Sequence, residues 1–335
     1  MSQARRIVRL GKSSLSVTLP RKWVEKNNLK EGDTVFVEDY DTYLLITSAR
    51  PREEFREEVK VLEATQGDED SVERMIIALY QAGYASIKVV SRSGRVTPEL
   101  RETIRRTLKR LVGLEVFEEG SDYILLQMIA DASTVEIPKV LSRMEVLILN
   151  SIKDLEEFAA TGDTSYLKDI IERDEEIDKF YFLLSRQVAL SIMYSWYSSK
   201  VGVQDRTLLM PLFNYGKTLE RVGDVIASLA RIAHLVDITK EHVQLIRASF
   251  ESAVRAFKTG DQEAKMEITK TYREYFDRFD PSSLLDHLLG NILSLALDML
   301  ESRVELEVFK EFSSRSLHHL DATLPKNKLI LNRSA

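Results

Sequence analysis

Apolar and polar positions alternate over the first fifty residues. Ile7, Val8 and Leu10 lead into a Gly11-Lys12 turn, and Leu15, Val17 and Leu19 then interleave with Ser16 and Thr18, the two-residue period of a half-buried strand. Pro20 opens a short helix over Arg21–Asn27, because its fixed φ suits a first helical turn. After the Glu31-Gly32-Asp33 turn, Val35 and Val37 form another strand, and Tyr43–Thr47 returns beyond an Asp39–Thr42 turn. From 55 to 131 the period switches back and forth. Val59–Glu63 reads as a strand, Asp70–Ala82 as a helix with apolar Val72, Met75, Ile76 and Leu79, and Ile87–Val90 as a strand. Pro98–Leu111 is a basic-faced helix, and Glu115–Phe117 with Tyr123–Ile129 forms a terminal hairpin.

From 134 to 320 the period is helical. Ile137, Val140, Leu141, Met144, Leu147 and Ile148 follow the spacing of a bundle helix. Thr161-Gly162-Asp163 ends it, with Asp163 or Thr164 capping a second helix that runs to about Tyr197; a third spans about Asp205–Leu235. Phe158-Ala159-Ala160-Thr161-Gly162-Asp163 recurs as Phe257-Lys258-Thr259-Gly260-Asp261, which predicts a second three-helix unit with helices near 240–258, 262–278 and 283–311. Short connections between long helices imply antiparallel packing. The fold class is therefore multidomain: a small β-rich unit at 1–50, an α+β middle domain at 55–131 and an all-α bundle at 134–320, its repeats at about 134–236 and 239–311.

Composition narrows the possibilities. A chain of 335 residues with 44% hydrophobic and 30% charged side chains is globular, with room for two or three domains. Its lack of cysteine excludes a disulfide framework, thiolate metal sites and a Cys nucleophile. The start carries no apolar signal run and no stretch approaches a membrane span, so a cytoplasmic location without membrane insertion is expected. The net charge of −6 hides an asymmetry: residues 1–30 hold eight basic side chains and one acid, and the remainder is strongly acidic. A cationic end on an acidic body points to a polyanion-binding module. About 45 residues with few large apolar side chains bury too little surface to be stable alone, and two copies interleaving their hairpins would solve that.

Two acidic pairs stand out in the bundle. Asp174 and Asp178 lie four apart on the second helix, and Glu220 and Asp224 lie four apart on the third, so each pair projects from one face. Core-type neighbours (Ile177, Phe180, Tyr181, Leu184; Leu219, Val222, Val225, Ile226) place both pairs near a helix–helix seam. Facing carboxylates repel, and a hard cation between them removes that cost. Mg, Mn, Ca, Fe or Zn is the candidate cofactor, and the lack of a Glu-x-x-His motif argues against a di-iron oxidase. The alternative is solvated charge paired with Arg173, Lys179 or Arg221. In the second unit Tyr272 and Phe276 stand at the places of Asp174 and Asp178, and Asp286 and Gly290 at those of Glu220 and Asp224, so only the first unit is expected to ligate. Arg101, Arg105, Arg106, Lys109 and Arg110 read as a solvated helix face, and no catalytic constellation or Gly-rich phosphate loop is present.

Residues 11–23 (Gly-Lys-Ser-Ser-Leu-Ser-Val-Thr-Leu-Pro-Arg-Lys-Trp), continued by Leu29-Lys30-Glu31-Gly32-Asp33, resemble the swapped-hairpin DNA-binding domain of the AbrB, MazE and SpoVT group. That resemblance implies an intertwined homodimer on double-stranded DNA, with Arg5, Arg6, Arg9, Lys12, Ser13, Arg21 and Lys22 as the DNA-facing candidates. Residues 134–320 resemble the PhoU phosphate-uptake regulator family through Arg173-Asp174-Glu175-Glu176-Ile177-Asp178 and Leu219-Glu220-Arg221-Val222-Gly223-Asp224-Val225. This implies two three-helix repeats whose acidic motifs bind metal in some members, although the second repeat here departs from the pattern. The combination is similar to archaeal-type phosphate-uptake regulators. A DNA-binding regulator of phosphate-uptake genes is the leading expectation. The alternatives are a PhoU-type regulator that contacts a phosphate ABC transporter or sensor kinase without binding DNA, and a metal-dependent hydrolase. The hydrolase is disfavoured, since the nearest histidine on the same helix, His234, lies well beyond Asp224.

Overall fold

Over the first fifty residues the two-residue apolar period gives two short hairpins. In the computed structural model, which describes residues 4–11, 14–39, 44–48, 59–65 and 67–323 (the backbone alone for 38, 39 and 314–323), the chain forms two units, Met1–Phe55 and Arg56–Ala335. In the first unit β1 (Val8–Leu10) pairs antiparallel with β2 (Ser14–Ser16), and β3 (Phe36–Asp39) with β4 (Leu44–Thr47). Between the hairpins lies α1 (Arg21–Lys26), whose N-cap is Pro20. Asn27 ends the helix: its side-chain amide donates to the Trp23 carbonyl at 2.8 Å while its amide oxygen accepts from Ser48 at 3.0 Å. None of the described residues of this unit is buried.

The second unit begins with a two-layer α/β domain. Its sheet has the order β5 (Val59–Ala64), β6 (Ser86–Ser91), β8 (Tyr123–Met128), β7 (Leu114–Glu119). β5 and β6 are parallel because α2 (Glu69–Gln81) crosses between them; the remaining pairs are antiparallel, as expected for the β7–β8 hairpin. α2 and α3 (Pro98–Lys109) cover one face. Val72, Ile76 and Tyr80 of α2 and Leu100, Ile104 and Leu108 of α3 pack with Ile87, Val89, Ile124 and Leu126 of the sheet.

The bundle follows as α4 (Ile137–Thr161), α5 (Ser165–Met193), α6 (Ser195–Lys200), α7 (Leu209–Ile232), α8 (Lys240–Thr259), α9 (Gln262–Phe276) and α10 (Leu284–Thr323). All six apolar positions that define α4's inner stripe are buried. The two repeats share their cap chemistry. Gly162 and Gly260 both sit at φ +73 after the helix, while Asp163 accepts from the Ser165 amide and Asp261 from those of Glu263 and Ala264. The repeats meet at a buried polar cluster, where Glu145 accepts from Tyr215 at 2.8 Å and from Lys258, and the Tyr215 and Phe257 rings stack at 3.5 Å.

Three helix boundaries differ from the sequence reading. The second bundle helix stops at Met193, because extended Tyr194 (φ −128, ψ 112) redirects the chain so that Tyr197 is buried in α6. The third begins at Leu209, after a separate turn at Arg206–Leu208. α10 continues well past 311, since nothing between 301 and 323 is Gly or Pro.

α5 also belongs to the α/β layer. Phe182 joins that layer's core, with Tyr181 packed against it. Arg186 is 1% exposed, and its guanidinium donates to the carbonyls of Tyr80, Gly83 and Tyr84 at 2.6, 3.2 and 3.0 Å, closing the C-terminal end of α2. Helix carbonyls there lack intrahelical partners and carry partial negative charge, so a buried cation is satisfied by them. A helix of the bundle thus anchors the α/β domain.

Candidate functional site

Two regions hold the residues singled out in the sequence. In the N-terminal unit Arg5, Arg6, Arg9, Arg21 and Lys22 are all exposed, with Arg9 opposite Leu15 in the β1–β2 hairpin. Arg21 pairs with Glu25 at 2.8 Å, but both side chains are largely in water, where such a pair contributes little. Lys12 and Ser13 lie outside the described residues. Around these cations Ile7, Val8, Leu10, Leu15, Val37 and Leu44 are each more than half exposed. Isolated two-stranded hairpins are marginal in water, and contiguous exposed apolar side chains mark interaction surfaces.

The second region lies between α5 and α7. Gly216 and Gly223 of α7 let the two helices close up: a Cβ at Gly216 would meet Leu184 Cδ2 at 2.1 Å, and one at Gly223 would meet Ile177 Cδ1 at 2.9 Å. The acidic faces therefore converge. Asp178, Glu220 and Asp224 each bring one carboxylate oxygen to within 4.8 Å of the others. Asp174 does not join them. Its Oδ2 accepts from Arg231 at 3.2 Å, and its Oδ1 is buried without a hydrogen-bond partner.

The electrostatics follow from that convergence. Burial first, then the charges of Asp224 and Asp178, push the Asp174 carboxyl up to about 6. Burial also raises Glu220, and burial with the Asp178 charge raises Asp224. Like charges this close disfavour one another's charged forms. The chain supplies cations at the edges. Lys217 Nζ lies 2.9 Å from Glu220 and over the Tyr181 ring, and Arg110 Nη2 lies 2.5 Å from Asp178.

These partners differ from those expected. Arg173 binds Asp154 at 2.7 Å and Arg221 faces Asp298 at 3.5 Å, because α4 and α10 supply closer carboxylates. Nor is α3 simply a solvated basic face. Arg101 pairs with Glu119, Arg106 with Glu73, and Arg110 with both Glu73 (3.1 Å) and Asp178. Arg231 was detectable as a cation seven residues after Asp224 on one helix, and Lys217 as an i, i+3 neighbour of Glu220. Arg110 lies 68 residues from Asp178, and no local pattern announces it. Glu73, Arg106, Lys109, Arg110, Asp174, Asp178 and Arg231 line a shared cavity of about 330 Å³.

The corresponding place in the second repeat is filled. Tyr272, Phe276 and Phe279 stack in series at 4.5 and 5.3 Å, and Phe276 abuts Gly290. Asp286 accepts from the Tyr275 hydroxyl and the Asp280 amide at 3.0 Å each. Aromatic carbon occupies the space that carboxylates border in the first repeat.

Comparison with known proteins agrees with this division. The family model of the PhoU domain matches residues 141–233, which carry all four carboxylates. That of the antidote-toxin recognition protein MazE, a bacterial antitoxin, matches residues 8–54. No curated protein and no solved structure matches the chain. The chain thus carries a PhoU domain in its helical part and a MazE-type domain at its N-terminus, both regulatory rather than enzymatic types. The first points to regulation of phosphate homeostasis and the second to DNA binding and oligomerisation. No helix among the described residues is long and apolar enough to cross a membrane.

Proposed function

We propose that this chain is a DNA-binding transcriptional regulator of phosphate uptake, acting as a homodimer or higher homo-oligomer in the cytoplasm. Two copies of the N-terminal unit join their hairpins into one core and present Arg5, Arg6, Arg9, Lys12, Ser13, Arg21 and Lys22 to a duplex. The PhoU-type bundle senses phosphate status or binds a partner. The observation that carries this reading is the exposure of Arg5, Arg6, Arg9, Arg21 and Lys22 beside exposed apolar side chains in a unit none of whose described residues is buried. Phosphate contacts release counterions, so affinity for duplex DNA should fall by roughly one logarithmic unit per tenfold salt for each phosphate engaged. In gel-shift titrations on promoter fragments of phosphate-uptake genes, removing residues 1–50 should abolish binding. Undiminished affinity would falsify the assignment.

Asp178, Glu220 and Asp224 are the residues proposed to hold a divalent cation, with Asp174 positioned behind them. Three carboxylates and no nitrogen or sulfur donor favour Mg, Mn, Ca or Fe over Zn. Such a cation would offset the mutual repulsion of these carboxylates. A second reading, in which the bundle acts on a phosphate ABC transporter or sensor kinase by protein contact, is favoured by α10. Its Val304 and Val308, four apart, are 50% and 58% exposed, an apolar stripe suited to a partner helix. Capture of transport components by the bundle alone, with no operator recovered by the whole chain, would select that reading.

A further inference from the structure

Arg110 is the C-cap residue of α3, on the α/β domain, yet its guanidinium is seated in the bundle's carboxylate cluster. One Nη donates to Asp178 at 2.5 Å, the other to Glu73 of α2 at 3.1 Å, and the guanidinium carbon lies 5.1 Å from the Phe182 ring centre. Its side chain is 25% exposed, that of Asp178 18% and that of Glu73 17%, so both pairs are shielded from water on most sides. We propose that Arg110 is a tethered counter-cation, which holds the cluster until a divalent, oxygen-seeking cation displaces it, so that the α/β domain registers metal loading. The inference rests on the reading of Asp178, Glu220 and Asp224 as metal ligands.

Three features argue for exchange over a fixed structural pair. First, the cluster already holds a cation that comes from another domain. Asp178 is the carboxylate that this cation and a metal would share, so the two compete for one oxygen set. Second, Arg110 has somewhere to go. Glu73 already binds it, so leaving Asp178 does not strand a buried charge, the event that makes breaking most buried pairs expensive. Third, the cavity of about 330 Å³ beside them is bordered by Arg110, Glu73 and Asp178 together, leaving room for the guanidinium to swing without repacking a core. Arg186 and Phe182 hold α2 against α5 meanwhile, so the domains stay joined while one contact opens.

The test is titration of the chelator-treated full-length chain with manganese chloride, read by calorimetry and by loss of the free Mn²⁺ resonance signal. A protein whose metal-competent form is a tenth of the population binds about tenfold more weakly than one freed from the competitor. R110M should therefore tighten Mn²⁺ binding by about tenfold. E73Q should weaken it, because Arg110 then has Asp178 as its one carboxylate. Amide exchange across residues 108–112 should accelerate on adding Mn²⁺ to the parent chain and stay unchanged in R110M. Opposite shifts in the two variants cannot come from general destabilisation. Equal Mn²⁺ affinity in parent, R110M and E73Q would overturn the role of Arg110 and leave the metal reading standing. Absence of Mn²⁺ binding in all three would remove the metal reading and this inference with it; binding by R110M alone would support both.

Discussion

Asp174 shows how position within a seam changes what a carboxylate does. It shares a face with Asp178, yet its Oδ1 is turned against Gly223 and lacks a donor, while Oδ2 has only Arg231. Its proton is held up to about 6, well above the ordinary 3.8. Between those values the folded chain binds a proton that the unfolded chain has lost. Stability from this group is therefore full below about pH 4 and disappears as pH rises through 6. With metal removed by chelator, D174N should melt higher than the parent at neutral pH, because the amide mimics the neutral acid. The difference should vanish near pH 4. A lower melting temperature for D174N at neutral pH would show that the Arg231 pair outweighs burial.

Among the elements, α5 does the most joining. One face of it meets α7, with Ile177 against Gly223 and Leu184 against Gly216, while another carries Phe182 and Arg186 into the α/β layer. Arg186 is the residue on which that second role turns. Replacing it with Met removes three donors from the end of α2 and leaves buried carbonyls unsatisfied, a loss of about 3 kcal/mol. Urea unfolding of R186M should show that loss, and the protease sensitivity of the segment 59–128 should rise with it. An unchanged midpoint would mean that Phe182 and its neighbours suffice to hold the layer. The helical pattern of α5 was legible in its sequence. Its sharing between two cores was not, because an arginine inside a helix pattern reads as surface until a carbonyl cluster 106 residues away is brought to it.

For the molecule as a whole, the contrast between the two units matters most. Beyond residue 59 the chain buries a continuous set of apolar side chains; among the described residues before it none is buried. In the proposed reading a second copy of this unit covers its exposed apolar side chains. Replacing Leu15 with Asp should shift the chain from dimer to monomer in light scattering and abolish DNA binding without altering the melting of the helical part. A dimer persisting in that variant would place the oligomer contact in the bundle, where Val304 and Val308 are the exposed candidates.

The sequence by itself determined the three-part architecture, the repeat caps at Gly162 and Gly260, the inner stripe of α4 and the cationic N-terminus. Each of these is a property of neighbours along the chain, set by periodicity, φ or local charge. It also brought Glu220 and Asp224 to one helix face. The repeat alignment likewise put Tyr272 and Phe276 at the second unit's equivalent of Asp174 and Asp178. Only tertiary structure decided that Asp174 stands apart from the other three carboxylates, and that Arg110 and Arg186 work across a domain boundary. Those outcomes depend on how closely two helices approach and which end of a distant element lies opposite, and neither quantity is encoded in the spacing of residues along one segment.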